Sequence, residues 1–175
     1  MTPRVQEKIS IPLHSIKEGV SEYKFRSKFV ESEVLTGCEF REKIDVSLKI
    51  TKGGADYLCE ISVRSVGHFI CDRCLEEFDR EVKASSAVLY TYDKSSAEME
   101  SESLHVLSAS ADEIDISSDV IDILLLEVPA KKLCMEDCKG LCPVCGKNLN
   151  TENCSCVKDE IDPRWQGLRN IDFSK

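Results

Sequence analysis

Apolar and polar residues alternate from Glu42 to Ile50, with Ile44, Val46, Leu48 and Ile50 on one face and Lys43, Asp45, Ser47 and Lys49 on the other. That period of two predicts a half-buried β-strand. Gly53-Gly54 follows as a turn, and alternation resumes from Tyr57 to Val66 through Leu58, Glu60, Ser62 and Arg64, so the pair reads as a hairpin. Strand signals also cover Tyr23–Val30, punctuated by charges, and Phe78–Tyr92, rich in valine and tyrosine. Together they predict a β-rich antiparallel sheet or a partly closed barrel.

The period changes further on. Ile114-Asp115-Ile116 reads as a brief strand, and Ser118 as the N-cap of a helix near 118–128 with Asp119 in its first turn. Ile121, Leu124, Leu125 and Val128 recur at helical spacing, and Pro129 stops the helix. The fold class is therefore α+β: a sheet or partly closed barrel with one core helix and a C-terminal cysteine-rich, metal-binding segment. The predicted organisation is a body over 1–130, followed by a zinc-ribbon-like segment and docking tail over 131–175.

Charge changes this picture in one place. Residues 1–92 carry a net charge of −1, residues 93–128 a net of −9 and residues 129–175 a net of +1. The acidity belongs to a serine- and glutamate-rich loop near 93–113 and to the helix after it. A chain of net charge −9 gains little from phosphate attraction overall, which excludes strong non-specific nucleic-acid binding but not a local basic patch. Met1–Ser10 has no apolar stretch of the kind a secretory signal needs. The longest apolar run, Val120–Val128, is interrupted by Asp122 and Glu127 and is too short to span a bilayer. A cytoplasmic protein without membrane or small-molecule ligand is expected.

In such a compartment the ten cysteines need an explanation other than disulfides. Cys38 and Cys59 stand alone in strand-like segments and read as buried free thiols. The other eight come as Cys71-x2-Cys74, Cys134-x3-Cys138, Cys142-x2-Cys145 and Cys154-x-Cys156. Cys142-Pro-Val-Cys145-Gly146 is the strongest signal, because a two-residue spacer lets both sulfurs meet one ion and Gly146 permits the positive φ that turns amides toward them. Cys154 and Cys156 complete a first site. Cys71, Cys74, Cys134 and Cys138 either form a second four-cysteine site, remain metal-free, or are shared differently between sites. Zinc is the expected metal, as one or two structural ions, with iron the runner-up.

Catalytic constellations are absent. His14, His68 and His105 are scattered, and there is no phosphate-binding glycine loop, nucleophile elbow or H-E-x-x-H. His68 lies near enough to Cys71 to be a spare ligand but reads better as a polar strand residue. A dithiol redox role for Cys71 and Cys74 lacks the βαβ surroundings that such motifs use. Asp162-Pro163-Arg164-Trp165 has the form of a helix start, either docking the tail or letting Arg164 and Trp165 touch RNA. Arg73, Lys139 and Lys147 are the other candidates for RNA or partner contacts.

Cys71-Asp-Arg-Cys-Leu-Glu-Glu-Phe78, Ile114-Asp-Ile116, Glu127-Val-Pro129, Cys138-Lys-Gly-Leu-Cys-Pro-Val-Cys-Gly146 with Asn148-Leu-Asn150, and Asp162-Pro-Arg164 occur in that order. In this combination the chain resembles the YceD family of bacterial and plastid proteins. The resemblance implies a non-enzymatic role in large-subunit ribosomal RNA accumulation, through precursor RNA or ribosome-assembly proteins, in the cytoplasm of a bacterium. It also implies that the metal reinforces the fold and that the shared activity lies on sheet and helix, since some relatives lack the C-terminal cysteines. A zinc-ribbon module in transcription and an iron or dithiol redox protein are the alternatives.

Overall fold

The computed structural model describes residues 4–5, 7–30, 38–93 and 103–156. The elements are β1 (Arg4–Val5), β2 (Ser10–Pro12), a 3-10 turn (Leu13–Ser15), β3 (Gly19–Val30), β4 (Cys38–Glu39), β5 (Lys43–Gly53), β6 (Asp56–Ile70), β7 (Glu77–Thr91), β8 (Leu104–Val106), β9 (Glu113–Asp115) and α1 (Ser117–Leu126). The main sheet runs β1-β3-β5-β6-β7-β8, with β4 also paired to β6 beyond the reach of β5. It is open rather than closed, and one pairing, β7 with β8, is parallel. β2 and β9 form a separate antiparallel ribbon.

The alternation works as the sequence requires. Ile44, Val46, Leu48 and Ile50 of β5 are buried, and so are Tyr57, Cys59, Ile61 and Val63 of β6. Against this face lie Val120, Ile121, Ile123 and Leu124 of α1 and Ile11 and Ile114 of the ribbon, forming one core. Each such side chain contributes roughly 1.5–3 kcal/mol on leaving water. The opposite face of the sheet remains exposed.

Several boundaries differ from the sequence reading, among them the start of β3, which lies at Gly19 instead of Tyr23. β6 continues four residues past Val66 to Ile70, because β7 pairs with it along its whole length down to Ile70↔Glu77. The helix begins at Ser117, not behind a Ser118 cap. Ile116 occupies the cap position, the Asp115 carboxylate accepts the Ser117 N–H at 2.9 Å, and the Ser117 hydroxyl accepts the Ile9 N–H at 2.9 Å. The ribbon thus dictates where the helix starts. It ends at Leu126, two residues before Val128, since a residue preceding proline is pushed out of helical backbone.

Residues 94–102 of the acidic loop expected near 93–113, and all of the predicted tail helix, including Arg164 and Trp165, lie outside the described residues; within the rest of that loop Leu104–Val106 form β8 by pairing with β7. Among the described residues no helix is long and apolar enough to cross a membrane.

Candidate metal centre

The β6–β7 connection is a knuckle. The Cys71 N–H donates to the Glu76 carbonyl at 2.9 Å, and the Leu75 N–H donates back to the Cys71 carbonyl at 2.9 Å. Cys142–Lys147 repeats the same pair of bonds, Cys142 N–H to Lys147 carbonyl at 2.8 Å and Gly146 N–H to Cys142 carbonyl at 2.9 Å. The fourth residue after the first cysteine takes positive φ in both, 60° at Leu75 and 72° at Gly146. Two knuckles of one geometry therefore stand where the sequence has two C-x2-C motifs.

Each knuckle gathers a second cysteine pair. The sulfurs of Cys71, Cys74, Cys134 and Cys138 all lie within 4.8 Å of one another, as do those of Cys142, Cys145, Cys154 and Cys156. Cys71 and Cys138 are 3.8 Å apart, Cys74 and Cys134 3.6 Å, and Cys142 and Cys154 3.4 Å. A tetrahedral ion with metal–sulfur bonds of 2.3 Å sets its sulfurs about 3.8 Å apart. Four soft sulfur donors without histidine or carboxylate suit zinc or iron and disfavour magnesium or calcium.

Electrostatics point the same way. Burial pushes the Cys71 thiol up, but the amides of Cys134, Cys74 and Arg73 aimed at its sulfur bring it down to about 6. The amides of Cys145 and Val144 bring Cys142 to about 6. Burial and the neighbouring Cys74 and Cys138 sulfurs push Cys134 up to about 12. Four thiolates this close repel one another, and a dication is the partner that lets all four ionise.

The two sets are one assembly. Only Lys139-Gly140-Leu141 separates Cys138 of the first from Cys142 of the second. That bridge lies on the first knuckle: the Leu141 N–H donates to the Arg73 carbonyl at 3.1 Å, and a β-carbon on Gly140 would come within 2.9 Å of the same oxygen. Gly140 also has φ +73°. Asn150 donates to the Cys138 sulfur at 3.3 Å and its carboxamide oxygen accepts the Lys139 N–H at 2.8 Å, while Asn148 donates to Glu76 at 2.8 Å.

Leu75 is where the two knuckles differ. It is 64% exposed and holds a left-handed backbone that costs an L-residue roughly 1–2 kcal/mol. Glycine relieves that strain but adds about 0.5–1 kcal/mol of chain entropy to the unfolded state. Leu75→Gly is therefore expected to raise stability by about 0.5–1 kcal/mol, measured by denaturant titration of the metal-loaded protein. A loss of stability would mean that Leu75 makes contacts worth more than its strain.

The remaining candidates are placed as follows. Arg73 donates through its guanidinium to the carbonyls of Cys138 at 2.7 Å and Glu136 at 3.5 Å, tying the two halves of the first set together. Lys139 and Lys147 are exposed, Lys147 beside Glu152 at 3.3 Å. His68 pairs with Asp79 across β6 and β7 and is a member of neither sulfur set. Cys38 and Cys59 are buried thiols, which burial pushes up to about 11 and about 12.

One buried polar network escaped the sequence reading. Asp119 of α1 is 7% exposed; one carboxylate oxygen accepts the Tyr90 hydroxyl and the other lies 2.8 Å from His105 Nε2. The available signal was spacing, because Asp119 shares a helix face with the buried Ile116 and Ile123.

The family model described as "Large ribosomal RNA subunit accumulation protein YceD" matches residues 59–172. An uncharacterized protein of Mycobacterium tuberculosis (strain ATCC 25618 / H37Rv) is 30% identical over 125 residues, covering 71% of this chain and 59% of that protein. The Zea mays protein named "Large ribosomal RNA subunit accumulation protein YCED homolog 1, chloroplastic" is 29% identical over 162 positions, covering 76% of this chain and 54% of its own length. Its Arabidopsis thaliana namesake is 41% identical over 59 residues, 34% of this chain and 18% of its own. The chain thus spans somewhat more than half the length of these mycobacterial and maize relatives. No solved structure matches it.

Proposed function

The chain belongs to the YceD family, and from that membership we propose that it is a non-enzymatic factor for accumulation of large-subunit ribosomal RNA. It acts by binding precursor RNA or an assembly protein, in the cytoplasm of a bacterium. Each four-cysteine set holds a structural zinc ion, and the zinc-ribbon-like segment from 131 onward is a reinforcement rather than an active centre.

The observation that carries the structural part is the closure of both sets. Four sulfurs within 4.8 Å of one another fill the coordination of a tetrahedral ion, whereas a catalytic zinc keeps one position for water or substrate. The functional part rests on the family and on relatives named for ribosomal RNA accumulation.

Two measurements test it. Purified protein is expected to be colourless and to carry two zinc ions per chain; visible absorption from bound iron would favour the redox reading instead. In cells, the protein is expected to sediment with large-subunit precursors, and its depletion to lower mature large-subunit RNA. Association with RNA polymerase, with ribosomal RNA unchanged on depletion, would overturn the reading in favour of a transcription module.

A further inference from the structure

The outward face of the main sheet carries charge that the metal centres do not explain. Because β3, β5, β6 and β7 pair in continuous register, Arg26, Asp45, Arg64 and Lys83 form one row across four strands. Lys24, Ser47, Ser62 and Ser85 form the next row on the same face, and Lys28 and Lys43 stand side by side beyond Arg26 and Asp45. The first two rows line a shallow groove of about 580 Å³.

Six cations meet two carboxylates here. Asp45 is held by Arg26 at 2.5 Å, and Glu81 lies 2.6 Å from Lys83 and 3.4 Å from Arg64. Among the described residues the ion pairs of this face leave Lys24, Lys28 and Lys43 without a carboxylate. The patch is thus net +4 on a chain of net −9. It is also bounded. Two residues along each strand the row becomes Glu22, Lys49, Glu60 and Ala87, and then Val20, Thr51, Leu58 and Leu89.

Chemistry narrows what such a surface takes. The aromatic residues Tyr23 and Phe25 pack toward the core, so the patch offers unpaired bases no stacking platform. What it offers is cations and serine hydroxyls on a shallow surface about 14 Å across, at the spacing of paired strands. Those groups match the phosphates and 2′-hydroxyls that double-helical RNA presents, which proteins recognise by shape across its minor groove. We propose that this face, centred on Lys24, Arg26, Arg64 and Lys83, binds the backbone of double-helical RNA. The inference deepens the family reading above and rests on it for the class of nucleic acid.

The test uses metal-loaded full-length protein and a mixed-sequence RNA duplex of about 20 base pairs, with the single strand and the equivalent DNA duplex as comparators. Duplex RNA is expected to bind most tightly, and a net of four charges implies an affinity loss on the order of 100-fold between roughly 50 and 200 mM salt. The triple variant Lys24→Gln, Arg64→Gln, Lys83→Gln is expected to lose at least about tenfold in affinity and to show a shallower salt dependence. Lys49→Gln, outside the patch, is expected to bind like the parent. All replaced side chains are exposed, so unchanged thermal midpoints verify that the variants fold. Equal binding by the triple variant, tighter binding of the single strand, or DNA bound as tightly as RNA each overturns the proposal. A protein that sediments with large-subunit precursors yet ignores duplex RNA overturns this surface while leaving the family reading intact. Depletion without effect on ribosomal RNA sinks the family reading itself.

Discussion

Chelating the metal proposed for the two four-cysteine sets is expected to release residues 134–156 from the sheet while the sheet itself stays folded. The reason is the distribution of core. The sheet, α1 and the ribbon share one continuous apolar cluster, which contains no cysteine of either set. Among the described residues, the cysteine segment has Leu133, Leu141 and Phe78 as the apolar side chains packed around the first set. A structural zinc site supplies on the order of 10 kcal/mol, which is far more than those partly buried side chains provide.

The two sets are not equivalent, and this sharpens the expectation. The first joins a knuckle of the sheet to Cys134 and Cys138, more than fifty residues away in sequence. The second is local, with all four of its sulfurs between Cys142 and Cys156. Cys71→Ser with Cys74→Ser is therefore expected to leave one metal per chain and to raise amide hydrogen exchange throughout 134–156, because the anchor is lost. Cys154→Ser with Cys156→Ser is also expected to leave one metal, but with fast exchange confined to the stretch around 142–156. If both double variants exchange alike, the anchoring role of the first set is wrong. If chelation melts the sheet as well, the metal is part of the core and the division drawn here fails.

The sequence made one half of this arrangement plain and left the other open. Cys142-Pro-Val-Cys145-Gly146 announces itself, because spacing and glycine together encode a knuckle. Cys134 and Cys138 could be named as mates of Cys71 and Cys74 only as one of several alternatives, because nothing local links positions that meet only when β6 and β7 extend to Ile70 and Glu77 and present their turn to the C-terminal segment. The same distinction runs through the fold. Alternation marked β5 and most of β6, since burial on one face leaves a period of two. It did not mark the last four residues of β6, where Gly67 and His68 break the pattern and pairing with β7 and β4 keeps the strand going. The helix was legible and its cap was not, since the Asp115 and Ser117 contacts that start it depend on the ribbon made with residues a hundred positions earlier. Short strands such as β2, β4 and β8 exist by partnership alone and carry no periodicity of their own.

Asp119→Ala is expected to cost about 3 kcal/mol, lowering the thermal midpoint of the metal-loaded protein by roughly 6–12 °C for a domain of this size. Asp119 reads as an ordinary first-turn acid that favours the helix dipole, worth a few tenths of a kcal/mol to about 1. Its surroundings say otherwise. The carboxylate is nearly buried, takes the Tyr90 hydroxyl on one oxygen and faces His105 with the other, and Tyr90 stacks near His105 at 5.0 Å between ring centres. Tyr90 belongs to β7, His105 to β8 and Asp119 to α1, so one side chain ties the helix to the strands on either side of residues 94–102. Burial, followed by its bond to Asp119, pushes the Tyr90 hydroxyl far above the ordinary tyrosine range, so it stays a donor at every working pH. Truncating Asp119 therefore leaves the Tyr90 hydroxyl with only the Asp115 carbonyl, at 3.2 Å, and removes the partner of the histidine in the same step. Asp119→Asn keeps the shape and one acceptor for Tyr90, and is expected to cost only about 1 kcal/mol; Tyr90→Phe is expected to cost about 1–1.5 kcal/mol. The double variant Asp119→Ala, Tyr90→Phe should then be less damaged than the two single losses added together, since both singles remove the same Tyr90–Asp119 bond. Asp122→Ala, at an exposed position of the same helix, is the reference and should move stability by no more than about 0.5 kcal/mol. If Asp119→Ala behaves like Asp122→Ala, the network contributes nothing, and α1 is held by its apolar face alone.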